Sequence, residues 1–206
     1  MSLPKPYYQD EQATIYCADN RSVLPHLGRF DAVVTDPPYG LGDRMQGGTW
    51  GASKKEMMAW DVISSGVLGL IEIGDRVVIW GGNYYPLPAS RGWLVWHKPD
   101  AVPTTANAEL AWTNQDRNTR LLTWSIAATN AERIGHPTQK PLRVMSWTLQ
   151  QIGVIEGQTI LDPYAGSGST LVAAKLRGIK AVGIEISEAY CAMAVERLRQ
   201  GVLITA

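Results

Sequence analysis

The chain has 206 residues, of which 45% are hydrophobic and 18% are charged. This is enough apolar material for one globular domain with a sizeable core, and it excludes a disordered protein. The 19 basic and 19 acidic residues balance, which excludes a uniformly basic nucleic-acid-binding protein but not a local basic patch. The longest apolar runs fall far short of the roughly 20 residues that a membrane-spanning helix needs.

The N-terminal residues are polar and contain proline, so we expect no secretory signal and a cytoplasmic protein. Cys17 and Cys191 are the only cysteines and are not spaced as a C-x-x-C pair, so we expect both to be reduced and to lie in the core. We predict no metal site.

Short β-branched segments alternate with helical segments and with glycine or proline breaks, which predicts an α/β fold with helices on both faces of a mostly parallel sheet. In chain order, the predicted strands are 14–18, 32–35, 76–80, 93–97, 109–112, 120–124, 159–161 and 181–184. The apolar, β-branched pattern that predicts a strand is weaker in 109–112 and 120–124. The predicted helices are 54–68, 141–151, 168–177 and 188–200.

Four predicted strands lead directly into an acidic residue: Asp19, Asp36, Asp162 and Glu185. In open α/β sheets, ligands bind beyond the carboxyl ends of the strands, so these acids are candidate site residues. Each could instead cap a following helix.

The segment Asp36-Pro37-Pro38-Tyr39 follows a buried strand and is the strongest local signal in the sequence. Prolines fix φ near −65° and donate no N–H, so the Asp36 carboxylate and the Pro37 carbonyl both stay available as hydrogen-bond acceptors. A ligand with an amino group fits that arrangement, and Tyr39 offers a flat face for a nucleobase, worth about 1–3 kcal/mol. The competing interpretation is a proline turn with a capping aspartate.

A second signal is the glycine-rich loop that follows the predicted strand 159–161, in the segment 160–170 (ILDPYAGSGST). It lacks the lysine of a nucleoside-triphosphate P-loop and the third glycine of a dinucleotide fingerprint. Glu185 lies about twenty residues further on, where a carboxylate can bind both hydroxyls of a ribose. The loop and the acid together indicate an adenosine-type cofactor.

The sequence resembles the S-adenosylmethionine-dependent DNA amino-methyltransferases of the circularly permuted β class, which modify adenine N6 or cytosine N4. Three motifs carry the resemblance, in this order: 36–39 (DPPY), 136–141 (HPTQKP) and 162–169 (DPYAGSGS). The resemblance covers residues 15–198 and is weakest between 100 and 133. It implies a Rossmann-like, seven-stranded sheet in a single methyltransferase domain over residues 1–206.

The resemblance also implies roles for individual residues. Catalysis falls to Asp36, Pro37, Pro38 and Tyr39, which hold the amine for direct methyl transfer; no cysteine nucleophile is needed. Lys140 would neutralise the carboxylate of the cofactor, and Asp162 would accept from its amine. The full implied set for S-adenosylmethionine is Asp19, Asn20, His136, Thr138, Lys140, Asp162, Tyr164, Ala165, Gly166, Ser167, Gly168, Ser169 and Glu185.

A base stacked in double-stranded DNA cannot enter such a pocket, so the target base must be flipped out of the helix. Candidate phosphate contacts are Arg44, Lys54, Lys55, Arg117, Arg120 and Arg133, although each is also explained as a solvated surface charge. We expect the glycine-rich residues 41–53 to form a mobile loop and residues 100–134 to form a short target-recognition insert. Because the insert is short, we expect the enzyme to recognise a short or degenerate DNA sequence, or to share recognition with a second subunit in a homodimer.

Aspartate at the head of the catalytic motif favours N6-adenine over N4-cytosine as the methylated position. Two rival functions are methylation of RNA or of a protein glutamine, and DNA binding without catalysis. The size favours a stand-alone enzyme, such as those carried by phages, over a restriction subunit.

Overall fold

The alternating apolar segments of the chain form one large sheet with short helices packed on it. A computed structural model describes residues 2–40, 66–103, 105–132 and 139–200. Within these residues the sheet has nine strands: β1 (Tyr8–Gln9), β2 (Ala13–Cys17), β3 (Phe30–Thr35), β4 (Gly74–Trp80), β5 (Trp93–His97), β6 (Ala108–Thr113), β7 (Arg120–Thr123), β8 (Thr159–Asp162) and β9 (Lys180–Glu185).

The sheet is mostly parallel, as predicted, but it has nine strands in the described residues instead of seven. Its strand order is β1-β2-β9-β8-β3-β4-β6-β5-β7. The strands from β2 to β4 in that order are parallel, whereas β6 runs antiparallel to both β4 and β5. The sequence pattern predicted eight of these strands, including β6 and β7; the ninth, β1, is a two-residue antiparallel edge strand, too short to give a pattern.

The helices are α1 (Asn20–Val23), α2 (Ile126–Ala131), α3 (Leu142–Gln151), α4 (Ser169–Lys175) and α5 (Glu188–Arg199), with short 3₁₀ helices at Leu24–His26, Val67–Glu72 and Gly82–Tyr84. The last three α-helices agree with the predicted ones. The predicted helix 54–68 and the predicted mobile loop 41–53 lie largely or wholly outside the described residues. Because α1 and α2 are only one to two turns long, periodicity could not reveal them.

Apolar side chains are buried on both faces of the sheet. On one face, Val144, Leu171 and Ala194 of α3, α4 and α5 pack against strand residues such as Ala32 and Val78. On the other face, α1 and the 3₁₀ helix at Val67–Glu72 cover the strands. This agrees with the prediction of helices on both faces.

The parallel strands determine which residues meet. The carboxyl ends of β2, β9, β8, β3 and β4 lie along one edge, which we call the carboxyl edge. The four acids that follow these strands therefore lie along that edge, as predicted. Because β6 runs in the opposite direction, its first residues, including Glu109, also lie there.

The predicted target-recognition insert 100–134 contributes β6, β7 and α2 to the fold. Much of it is therefore part of the sheet instead of a separate element. Whether its connecting loops also recognise a DNA sequence stays a prediction.

Gly168, at the start of α4, offers a test of how tightly α4 packs on α5. Its φ is +79°, and a Cβ there would lie 2.7 Å from the Ala194 Cβ, whereas at Gly153, with φ +71°, nothing lies within 4 Å. We expect Gly153→Ala to lose about 1–2 kcal/mol of unfolding free energy from backbone strain. Gly168→Ala should lose a further 1–3 kcal/mol or so from overpacking. Urea unfolding measures both, and equal losses would contradict the tight packing.

Candidate active site

The Asp36 carboxylate is fixed by two side chains from different parts of the chain. Its Oδ1 accepts from the Tyr39 hydroxyl at 2.5 Å, and its Oδ2 accepts from the Lys140 ammonium at 2.6 Å. The Lys140 ammonium also donates to the Tyr39 hydroxyl, at 3.0 Å. Asp36, Tyr39 and Lys140 therefore form a closed triangle of polar contacts at the end of β3.

The ring of Tyr39 is held between the end of β4 and a second aromatic ring. It stacks on Tyr84, with centroids 4.9 Å apart and planes 22° from parallel. Gly81, at φ +67°, lies so close that a Cβ there would come within 2.0 Å of the Tyr39 ring. Glycine is needed at this position both for its left-handed backbone and for the space that the ring occupies.

The carbonyl groups of the two prolines are hydrogen-bond acceptors. The Tyr85 hydroxyl donates to the Pro38 carbonyl. The Pro37 carbonyl oxygen has two lone pairs, like any backbone carbonyl. Since each carboxylate oxygen can accept two hydrogen bonds, Asp36 and the Pro37 carbonyl can both still accept from an amino group.

Lys140 has acidic partners that the sequence did not predict. Its ammonium also pairs with Glu109 Oε2 at 2.9 Å, and Glu109 Oε1 in turn accepts from Lys98. The lone charged position in an otherwise apolar strand was the only available signal for Glu109, and no motif marked Lys98. The predicted contact of Lys140 with a cofactor carboxylate is untested, but the described partners of Lys140 are protein groups.

The electrostatics of the cluster follow from burial and pairing. Burial raises the pKa of Asp36, as does the nearby Glu109 carboxylate, whereas Lys140 opposes the rise. Burial would raise the pKa of Glu109 too, but Lys140 and Lys98 outweigh it and lower that pKa to about 2. For Lys140, the two carboxylates outweigh burial and raise the pKa.

Asp162 links the glycine-rich loop to the catalytic motif. It is 2% exposed, and its Oδ1 accepts from the Thr35 hydroxyl at 2.7 Å and from the Tyr164 N–H at 3.1 Å. Burial raises its pKa to about 6. Thr35 directly precedes Asp36, so this contact sets the spacing between the two motifs.

Glu185 holds the glycine-rich loop in place. Its Oε2 accepts from the Gly166 N–H at 2.9 Å, and its Oε1 accepts from the Ser187 N–H at 2.8 Å. Burial raises the pKa of this carboxyl. Tyr164, Gly166 and Glu185 are partly exposed, which makes them accessible to a ligand, whereas Ala165 and Gly168 are buried.

Two serines of the loop face the protein interior. The Arg197 guanidinium donates to the Ser167 carbonyl at 2.8 Å and to the Ser169 hydroxyl at 3.0 Å. Ser167 is 3% exposed and Ser169 is 7% exposed. These contacts anchor the loop to α5; the predicted contact of both serines with the cofactor stays a prediction.

Asp19 caps α1 and pairs with an exposed arginine. Its carboxylate accepts from the Arg21 N–H at 2.9 Å and pairs with the Arg21 guanidinium at 2.5 Å. The Asn20 side chain donates to the Pro163 carbonyl at 3.2 Å. Asp19 thus has the capping role that the sequence also allowed, and both residues border the loop that the sequence assigned to the cofactor.

The predicted phosphate contacts divide into two groups. Arg44, Lys54, Lys55 and Arg133 lie outside the described residues, as do His136 and Thr138 of the predicted cofactor set.

Arg120 begins β7, which runs parallel to β5 and therefore starts at the edge opposite the carboxyl edge. Arg117 donates to the Gln151 carbonyl at the C-terminal end of α3, at that same opposite edge. The placement of Arg117 and Arg120 therefore argues against phosphate contacts beside Asp36.

Both cysteines are free, as expected; Cys191 is buried, whereas Cys17 is only partly buried. Within the described ranges, no three or more His, Cys, Asp or Glu side chains are grouped in a way that could hold a metal ion. In the same ranges, no helix is both long enough and apolar enough to span a membrane.

Comparison with known proteins identifies the family. A family model described as DNA methylase, N6_N4_Mtase, matches residues 90–196, which is just over half of the chain. The chain belongs to this family. Over 96% of its length it is 25% identical to the Type II methyltransferase M.ScaI of Streptomyces caespitosus, and it covers 84% of that protein.

Solved structures support the methylase fold. The chain is similar to M1.HpyAVI in its complex with SAM, with a TM-score of 0.60, 21% identity, and coverage of 90% of this chain and 98% of the other. It is also similar to the cytosine-N4-specific PvuII DNA methyltransferase, with a TM-score of 0.64, 16% identity, and coverage of 94% and 88%. At these identities the likeness establishes the fold. The methylase therefore has the predicted Rossmann-like fold, with the motif order of the β class.

The raised pKa of Asp162 predicts a pH-dependent stability. The folded state keeps the proton on this carboxyl up to about pH 6, whereas the unfolded chain releases it near pH 4. The contribution of Asp162 to the unfolding free energy therefore falls as the pH rises between about 4 and 6. We expect the parent to lose stability relative to Asp162→Asn across this window, as measured by urea unfolding.

Asp31, near the start of the neighbouring strand β3, provides a control with the opposite sign. Hydrogen bonds from Thr159 lower its pKa, so its contribution is lost as the pH falls. A pH-independent difference between the parent and Asp162→Asn would contradict the account.

Proposed function

We propose that this DNA methyltransferase transfers a methyl group from S-adenosylmethionine to the N6 amine of an adenine flipped out of double-stranded DNA. The observation that carries the proposal is the Asp36 carboxylate at the carboxyl edge, held by Tyr39 and Lys140 beside the Pro37 carbonyl. The Thr35–Asp162 hydrogen bond of 2.7 Å couples this acceptor pair to the glycine-rich loop. Family membership supports DNA as the substrate.

The residues at the carboxyl edge fit an adenosine-type cofactor. Tyr164, Gly166 and Glu185 are accessible there, and Glu185 has acceptor capacity beyond the two backbone N–H groups that it holds. Asp19 and Asn20 border the same loop. When bound, S-adenosylmethionine supplies a methyl group on a sulfonium and leaves as S-adenosylhomocysteine. The similar M1.HpyAVI structure is a complex with SAM, which supports this choice of cofactor.

The chain's own groups orient the amine. Asp36 and the Pro37 carbonyl accept its two N–H groups, which favours a pyramidal nitrogen with its lone pair directed away from the base. As the N–C bond forms, the S–C bond breaks and its electron pair stays on sulfur, so no covalent enzyme intermediate is needed. The nitrogen then loses one proton, and Asp36, whose pKa burial raises, accepts it. Orientation and preorganised acceptors provide the catalysis.

Tyr39 provides the face on which the flipped base stacks. Tyr84 stacks on the Tyr39 ring and Gly81 lies against it, so the base stacks on the part of the ring that these two residues leave open. Phosphate contacts by Arg44, Lys54, Lys55 and Arg133 stay part of the proposal, because base flipping costs a few kcal/mol that DNA contacts must offset.

Asp36→Ala tests the role of the carboxylate. Because the variant loses the acceptor that orients the amine, we expect methyl transfer to double-stranded DNA to fall about 100-fold or more. S-adenosylmethionine binding, measured by calorimetry, should change little. Asp31→Asn, in β3 at the opposite edge of the sheet, is the matched control and should keep the parent rate. Parent-like transfer by Asp36→Ala would refute the assignment.

The methylated base is decided by nucleoside mass spectrometry of DNA treated with the enzyme and cofactor. We expect N6-methyladenine, because an aspartate heads the motif. N4-methylcytosine without N6-methyladenine would reverse the choice of base while leaving the enzyme class intact. Parallel reactions with RNA and with protein should give no product.

A further inference from the structure

A row of four alternating charges leads from β5 to the catalytic motif. Lys98 pairs with Glu109, Glu109 with Lys140 at 2.9 Å, and Lys140 with Asp36 at 2.6 Å. The four side chains are only 12%, 23%, 8% and 21% exposed, in that order. Burying charges is costly unless each is paired, so the row needs a physical explanation.

Lys140 has three polar partners. The Lys140 ammonium donates hydrogen bonds to Asp36 and Tyr39, and it forms an ion pair with Glu109 Oε2 at 2.9 Å that lacks hydrogen-bond geometry. Asp36 and Tyr39 belong to the catalytic motif, whereas Glu109 comes from β6 on the other side. Glu109 therefore determines the direction from which Lys140 reaches Asp36.

Glu109 is itself held from its far side. Its second oxygen accepts from Lys98, and the Lys98 ammonium lies 4.6 Å from the centre of the Trp96 ring. Because Lys98 and Trp96 both come from the end of β5, the sheet register sets the position of the Glu109 carboxylate. The rigid sheet is thereby connected to a side chain of the catalytic motif.

We propose that Glu109 is a positioning residue for methyl transfer: it holds Lys140 where the ammonium binds Asp36 and Tyr39 together, and Lys98 fixes Glu109 in turn. This inference rests on the proposed function of Asp36. It also assigns Lys140 to the amine-binding motif, whereas the resemblance assigned it to the cofactor carboxylate.

Glu109→Gln is the test variant, assayed in single-turnover methyl transfer at saturating S-adenosylmethionine. Gln keeps the shape but loses the charge that anchors Lys140, so we expect the rate to fall tenfold or more. The dissociation constant of S-adenosylmethionine should stay within about twofold of the parent value. Glu156→Gln, at an exposed glutamate, is the matched control and should match the parent.

The pH profile separates positioning from a general loss of packing. Asp36 faces Lys140 and Tyr39, and the charges of Glu109 and Asp162 act on it from β6 and β8. If Glu109 positions Lys140, its loss lets the ammonium move away from Asp36. Because Lys140 lowers the pKa of Asp36 more than Glu109 raises it, the acidic limb of the rate profile should move to higher pH in Glu109→Gln. A structural defect alone would lower the rate without moving that limb.

Glu109→Gln leaves Lys98 without its partner, which could impair folding. The double variant Lys98→Met with Glu109→Gln removes both charges and keeps the net charge of the cluster unchanged. It should fold and show the same lower rate and shifted profile. If Glu109→Gln does not fold, the double variant decides the question.

Carboxyl ¹³C NMR of Asp36, assigned by comparison with Asp36→Asn, provides a readout that needs no activity. The Asp36 titration should move to higher pH in the variants, because Lys140 no longer stays beside the carboxylate. If the parent does not methylate DNA but this shift occurs, the proposed function fails and the positioning of Asp36 stands. If the parent is active and the variants match it in rate, profile and titration, the inference is wrong. Weaker cofactor binding with an unchanged saturated rate would also overturn it, by assigning Lys140 to the cofactor.

Discussion

The site depends on keeping one partly buried carboxylate charged and still able to accept a ligand. Desolvation disfavours the charge on Asp36, and a buried charge is tolerated only when it is paired and hydrogen-bonded. Lys140 supplies the countercharge and Tyr39 supplies a hydrogen bond. Each uses one lone pair of a different carboxylate oxygen, which leaves acceptor capacity on both oxygens for an amine.

The sheet is what brings these groups together. Asp36 and Lys140 are 104 positions apart in the sequence, and Thr35 and Asp162 are 127 apart. They meet because β3 and β8 are parallel neighbours whose carboxyl ends lie at one edge, and because α3 begins immediately after Lys140. The antiparallel β6 brings Glu109 to the same edge from the opposite direction. A purely parallel sheet would place the start of this strand at the far edge.

Much of the fold could be predicted from the sequence, because apolar β-branched strands and glycine-terminated helices give local signals. The acids that follow β2, β3, β8 and β9 could be placed along one edge for the same reason. Glu109 and Lys98 could not, since their pairing depends on the register between β5 and β6, which no short pattern encodes. The inward orientation of Ser167 and Ser169 was missed because it depends on Arg197, about 30 residues away on α5. Arg117 and Arg120 were expected to contact DNA from local charge alone; the direction of β7 places Arg120 at the edge opposite Asp36, and whether either arginine contacts DNA stays a prediction.

The most direct test of the central claim is a crystal structure of the protein with double-stranded DNA and S-adenosylhomocysteine. Our account predicts a flipped base stacked on the Tyr39 ring, with its amino nitrogen about 3 Å from both an Asp36 carboxylate oxygen and the Pro37 carbonyl. S-adenosylhomocysteine should lie against Gly166 and Glu185, with its sulfur facing that nitrogen. A base bound away from Asp36, or a nucleoside moiety bound away from the glycine-rich loop, would contradict the account.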